Sequence, residues 1–249
     1  MSVFSTFPAV STQVHRALFD TLVGGSDDLL DVVCECLKKF ASETTVGENV
    51  VVDFVTTVNN KLQQSASWTK DLVERLSRLQ TIYPQHFNED MAHLALAALP
   101  AHLDSAVMEQ KEVPHVCDGV KKCATMLTLI KQTASQAFVA ERIPFVLETI
   151  MQTEQTLMSR NGRTLTNALC TFLQGHCTAV VEWFFDDGRV LEGKWTAYFE
   201  KLLKAKDDLA LELKDCLTTQ KVELLTKLIR YEFRIVRFLV DEKYAYDIP

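Results

Sequence analysis

The residue types best suited to chemistry in this 249-residue chain stand together at His86, Glu89, Asp90 and His93. Imidazole and carboxylate between them hold several divalent ions. Their spacing of three, four and seven residues puts such groups on one helical face. Asn88, however, is a natural N-cap for a helix starting at the next residue, which leaves His86 outside it. A dinuclear carboxylate site also needs a second Glu-x-x-His and two further inward Glu. Glu112-Val-Pro-His115 has the spacing but contains a proline. A solvated helix start accounts for the group without a metal, so no metal site is assigned.

The other reactive types give no stronger pattern. Seven cysteines are scattered at Cys34, Cys36, Cys117, Cys123, Cys170, Cys177 and Cys216. An odd, dispersed set is unlike a secreted disulfide framework, and most fall at apolar positions where Cys acts as a small buried hydrophobe. His115, Cys117, Cys123, Cys170, His176 and Cys177 lack the tight knuckle spacing of structural zinc. There is no Gly-x-Ser-x-Gly elbow, no Walker loop and no dinucleotide-binding glycine pattern. Gly24-Gly25-Ser26 is too short to cradle phosphates, and Asp27 and Asp28 would repel them. No catalytic residue and no cofactor is therefore expected.

One patch does suggest binding. Lys227, Arg230, Arg234 and Arg237 lie three, four and three residues apart on one face of the last expected helix. The planar guanidinium suits phosphate or carboxylate, and Tyr231 and Phe233 flank the patch. A solvated face partly paired with Glu223 and Glu232 is the plainer alternative. The chain carries a formal net charge of −7, but residues 189–243 hold 12 Lys/Arg against 10 Asp/Glu. That region is the candidate anion-facing part of an otherwise acidic chain, whose overall sign argues against general nucleic-acid binding. Trp183, Phe184, Phe185 and Trp195 form an aromatic cluster that reads mostly as core.

The elements that must position these residues are helices. Only 8 Gly and 6 Pro interrupt 249 residues, and between them apolar residues recur every three or four positions. Ten or eleven helices are expected, joined by short links that make sequential helices antiparallel neighbours. Pro100 is expected to break or kink one helix. Pro144 is expected in the first turn of another, Asn161-Gly162 at a turn, and Leu165 to Phe184 in one continuous helix. Asp71/Arg75 and Glu74/Arg78 read as an exposed i,i+4 stripe. The apolar run Met91 to Leu99 is too short to span a bilayer and ends at Pro100. The N-terminus lacks the basic start and apolar run of a signal peptide.

Two short segments carry a family likeness. Arg234-Ile-Val-Arg-Phe-Leu-Val240 and Arg142-Ile-Pro-Phe-Val-Leu-Glu-Thr-Ile150 resemble helices of the HEAT-like middle domain of translation initiation factor 4G and of nonsense-mediated decay and splicing scaffolds. Their order is reversed relative to that family. The resemblance implies helical-repeat packing.

These readings combine into an all-α protein of antiparallel helical hairpins, either a HEAT-like α-solenoid or a compact multi-helix bundle. It is expected to be one domain over residues 1–249, with a possible subdivision at 1–112 and 113–240 and an extended tail at 241–249. The expected role is a non-catalytic scaffold or adaptor subunit that docks one or more proteins on a helical face. The binding residues expected are Lys227, Arg230, Tyr231, Arg234 and Arg237. RNA binding through the last helix and a helical enzyme built from His, Asp and Glu are the alternatives. A small-molecule substrate is not expected. The cysteines place the chain in a reducing compartment, expected to be cytoplasmic or else nuclear.

Overall fold

A computed structural model describes residues 8–24, 27–43, 48–185 and 192–220, together with Arg189 and Glu223. Among these residues there are eleven α-helices and no strand. The chain divides into two compact units, residues 1–112 with 117–135, and residues 113–116 with 136–249.

In the first unit the helices are α1 (Pro8–Gly24), α2 (Leu30–Glu43), α3 (Glu48–Leu62), α4 (Lys70–Ile82), α5 (Glu89–Glu109) and α6 (Asp118–Thr133). Each packs on a chain neighbour or on the helix two places along: α1 on α2 and α3, α2 on α4, α3 on α5, and α4 and α5 on α6. Contacts between every second helix are what stacked hairpins produce, because each hairpin buries its apolar stripe on the next. The stripes are those legible in the sequence: Val33, Leu37 and Phe40 on α2, Val50, Val51, Val55, Val58 and Leu62 on α3, and Val73, Leu76 and Leu79 on α4 are all buried. Leu29, just ahead of α2, is 49% exposed.

The cap of α4 is Thr69, whose side chain accepts the Leu72 N–H. Ser65–Ser67 forms a 3-10 turn that delivers Trp68 into the core. Helix α5 is not broken at Pro100 but continues past it to 21 residues. The proline removes the bond to the Leu96 carbonyl, and burial of Leu96, Ala98, Leu99 and Leu103 holds the helix together across it. α5 is thus long and apolar enough to cross a bilayer by length and composition. Half of its apolar window is buried, Met108 is exposed, and the helix packs most extensively on α6.

The expected stripe on α4 is exposed at Asp71, Glu74 and Arg78 and departs at Arg75. Arg75 is buried, and its Nη1 donates to the Leu22 carbonyl at 2.7 Å. Leu22 lies in the last turn of α1, where carbonyls have no helical partner, so Arg75 caps α1 from another helix. Arg78 pairs across to Asp31 of α2. Two of the four stripe residues thus reach other helices, Arg75 from a buried position and Arg78 from an exposed one.

α5 and α6 approach closely at one glycine. A Cβ on Gly119 would stand 3.0 Å from the Cα and Cβ of Ala106. The Gly119 N–H meanwhile donates to Glu109 Oε2 at 2.9 Å, capping α6 from the end of α5. Alanine is the better helix former by about 1 kcal/mol, yet here its methyl would meet backbone that cannot turn aside. Gly119→Ala should lower the unfolding free energy by about 1–3 kcal/mol, read by urea denaturation. An unchanged or raised stability would refute the close approach.

The second unit holds α7 (Gln136–Glu154), α8 (Ser159–Leu173), α9 (Cys177–Phe185), α10 (Gly193–Ala205) and α11 (Asp207–Asp215), and a π-helical turn at Cys216–Gln220. The same alternation recurs: α7 packs on α9, α8 on α10, and α9 on α11. Pro144 lies in the middle of α7 rather than its first turn, between the buried Ile143 and Val146. Asn161-Gly162 is no turn but the first turn of α8, which starts after Met158; Asn161 is buried there. The run from Leu165 to Phe184 is broken at Gly175, whose φ of 83° ends α8 in the left-handed conformation that glycine adopts without strain. The break was readable in Gln174-Gly175-His176, but the apolar period continues across it and hides it.

Candidate functional site

Of the residues that could do chemistry, the structure disperses the most reactive set. Asn88 is the N-cap of α5 and its side chain accepts the Asp90 N–H at 3.1 Å. His86 lies in the preceding 3-10 turn. Asp90 and His93 are exposed rather than turned inward, and Glu89 accepts the N–H of Ser135 ahead of α7. Among the described residues no group of three or more His, Cys, Asp or Glu is arranged to hold a metal.

Six of the seven cysteines are buried, Cys36 is exposed, and none is in a disulfide. Burial pushes the Cys123 thiol up to about 12 and that of Cys170 to about 11, so neither supplies a thiolate at neutral pH. The aromatic cluster is core: Trp183, Phe184, Phe185 and Trp195 are buried and meet edge to face, with the two indoles 4.8 Å apart. The basic patch at Lys227, Arg230, Tyr231, Arg234 and Arg237 lies outside the described residues.

The feature that sequence reading missed is a groove in the second unit, about 730 Å³ in volume, between facing sides of α8 and α10. Its floor is Glu154, the last residue of α7. The Glu154 carboxylate is almost wholly buried, accepts the Thr166 hydroxyl of α8, and pairs with Lys201 Nζ of α10 at 2.7 Å. A carboxylate buried this deeply is stable only when paired and hydrogen-bonded, so these contacts tie three helices at one point. Burial first, and then the Glu154 charge, push the neighbouring Tyr198 phenol well up, so it stays protonated.

The groove is basic. A hollow of about 420 Å³ shares Ser159 and Arg163 with it and adds Arg160. Another, of about 200 Å³, shares Glu154 and Lys201 and adds Lys194. Together they gather Arg160, Arg163, Lys194, Lys201 and Lys204 against two acids, Glu154 and Glu200. That is a local +3 in a chain of −7. The sequence signal was half visible, since Lys194, Lys201 and Lys204 belong to the base-rich run 189–243. The two arginines come from another helix, and no single-helix pattern joins them.

Gly162 opens onto the groove. A Cβ built there meets nothing within 4 Å, unlike Gly119. Gly162→Ala should therefore raise the unfolding free energy by about 0.5–1 kcal/mol through helix propensity alone. A loss of stability in urea titration would contradict the open space.

Comparison with known proteins gives a coherent family signal. The model of the Tra1 HEAT repeat ring region matches residues 4–239. The mouse Transformation/transcription domain-associated protein is 24% identical over 224 residues, covering 89% of this chain and 8% of that protein. The human protein of the same name is 23% identical, covering 89% and 6%. Transcription-associated protein 1 of Drosophila melanogaster is 23% identical, covering 77% and 5%. The chain thus spans less than a tenth of the length of these relatives.

Two expectations change. The HEAT-like packing stands, but the likeness to the middle domain of initiation factor 4G does not: the matched family is the Tra1 ring region. Arg142–Ile150 lies within α7, where Ile143, Val146, Leu147 and Ile150 are buried. It is a core stripe of the kind any packed amphipathic helix carries. Arg234–Val240 lies outside the described residues. The cytoplasmic location is overturned as well, because transcription-associated proteins are nuclear. Reduced cysteines could not distinguish the two, since cytosol and nucleus share a reducing environment.

Proposed function

Because the chain belongs to the Tra1 HEAT repeat ring family, we propose that it serves as a non-catalytic scaffold segment of a large nuclear, transcription-associated assembly. The observation that carries this reading is the family match over residues 4–239, in a chain whose units alternate helices as stacked hairpins do. Stacked hairpins present extended surfaces built from successive helix faces, suited to docking other proteins. The names of the relatives supply the transcriptional setting. The absence of any catalytic motif in the sequence agrees with docking rather than turnover.

The basic run at 227–237, which its spacing predicts as a helix, is one docking ridge of this scaffold. Lys227, Arg230, Arg234 and Arg237 would meet acidic groups of a partner, with Tyr231 covering an apolar contact. The test is affinity purification of the tagged full chain from nuclear extract, beside a form carrying Arg230→Glu, Arg234→Glu and Arg237→Glu. A reproducible set of co-purifying transcription-associated subunits is expected, with some lost from the charge-reversed form. Recovery of the chain alone would overturn the scaffold reading. An unchanged set would remove the ridge and leave the scaffold. Loss of RNA instead of protein, with steep salt dependence, would move the last helix to RNA binding.

A further inference from the structure

We infer that the basic groove between α8 and α10 is a docking site for a phosphorylated serine or threonine segment of a partner protein. The inference rests on the scaffold reading and names one surface through which it would act.

Three observations carry it. The first is charge. Five cations from two helices line the groove and the two hollows beside it, against two acids in the same lining, in a chain of formal net charge −7. Three of the cations are already engaged, Lys201 with Glu154 at 2.7 Å, Lys194 with Glu192 at 3.5 Å and Lys204 with Glu200 at 3.7 Å. Arg160 and Arg163 are exposed, one helical turn apart at the groove's end. Two guanidinium forks that close together match a compact dianion with three acceptor oxygens. Nucleic acid fits less well, because a chain of net −7 repels a long polyanion beyond the few phosphates the groove could hold.

The second is room. Gly162 lies on the groove wall with open space where a side chain would stand. A glycine inside a helix is destabilising relative to alanine, and here no contact within the unit demands it. Close approach of another backbone is the use that remains for the space. Leu157, Ala197 and Ala205 supply apolar walls beside it, so a segment can lay aliphatic side chains over the groove while its phosphate meets the arginines.

The third is rigidity. Glu154 bridges α7, α8 and α10 through Thr166 and Lys201. The groove is therefore preformed, and binding need not first order it. No acid stands in the first turn of α8 to oppose an anion beside Arg160.

The test uses the full chain labelled with ¹⁵N. The probe is a degenerate nonapeptide library with a central phosphoserine. Matched libraries with central serine or glutamate, and inorganic phosphate, are the comparisons. The phosphoserine library should shift amides within 159–167 and 197–205, at an affinity at least about tenfold above the serine library, weakening as salt rises. Arg160→Glu with Arg163→Glu should reduce that affinity at least about tenfold. Gly162→Leu should block binding by filling the groove, with retained folding checked by its far-UV circular dichroism and melting temperature. Equal binding of the serine library would overturn the proposal. So would equal binding of the glutamate library, which would make the groove a general acidic-peptide site. Inorganic phosphate binding as tightly as the peptides, or shifts confined to other residues, would overturn it too. If the double variant still co-purifies with the whole assembly and the libraries fail to bind, the groove is lost and the scaffold reading survives.

Discussion

Trp68→Ala should lower the stability of the first unit by about 3–5 kcal/mol, the range for truncating a large buried aromatic. Trp68 is wholly excluded from solvent, and its Nε1–H donates to the Leu62 carbonyl at 2.8 Å. Leu62 ends α3, so that carbonyl has no partner within its own helix. The indole thus fills core space beside the end of α3 and also closes that end. Truncation removes both the buried area and the hydrogen bond, the bond accounting for about 1 kcal/mol. Trp68→Phe separates the two, since it keeps most of the volume and loses only the donor. Urea denaturation of parent, Trp68→Phe and Trp68→Ala should rank them in that order. A Trp68→Ala protein within about 1 kcal/mol of the parent would mean the cavity collapses freely, against the close packing of the core.

Acid should destabilise the first unit through His15, by about 3 kcal/mol between neutral pH and pH 4. His15 is buried on α1, stacked on Phe19 at 4.8 Å and tilted against Phe40 at 4.9 Å. Its Nε2 meets the Tyr83 hydroxyl at 2.8 Å. Burial lowers its pKa from 6.5 to about 4, because the imidazolium would lose hydration without gaining a counter-ion. The same burial raises Tyr83, which therefore stays protonated. Above about pH 6.5 the imidazole is neutral in both folded and unfolded chains, and stability is complete. As pH falls through the window from 6.5 to 4, the unfolded chain takes a proton that the folded one refuses, and stability falls. Below about 4 both are protonated and this loss stops. Carboxylates titrate in the lower part of the window, so the informative quantity is the difference from His15→Gln, which is neutral throughout. The parent's stability relative to the variant should shrink as pH drops from 7 to 4. Parallel pH profiles for the two proteins would show that His15 is not the group responsible.

What could be read from residue order alone was whatever depends on local period and local punctuation. The stripes Val33-Leu37-Phe40 and Val73-Leu76-Leu79 point inward as their spacing required, because a helix that buries one face has only one set of positions to bury. Asn88 caps α5 for the same kind of reason, its side chain meeting a donor two residues away. Scarce Gly and Pro made the all-α class legible before any helix was placed.

Other local signals were overruled by packing. Pro100, Pro144 and Asn161-Gly162 all mark breaks in an isolated chain. Here each lies within a helix whose buried flanks outweigh the lost hydrogen bond or the glycine. Arg75 and Arg78 looked like the outer half of i,i+4 pairs, which stabilise a helix by only a few tenths of a kcal/mol. Each finds a partner on a different helix instead, a connection no spacing within α4 can encode.

The groove belongs entirely to that second kind. Arg160 and Arg163 belong to α8, Lys201 and Lys204 to α10, and Glu154 to the end of α7. By themselves these residues read as solvated charges. The sequence determined that this protein would be a stack of amphipathic helices, because helical period is written residue by residue. Only the tertiary structure decided which charges face each other, because electrostatic neighbourhood depends on distance in space and not along the chain.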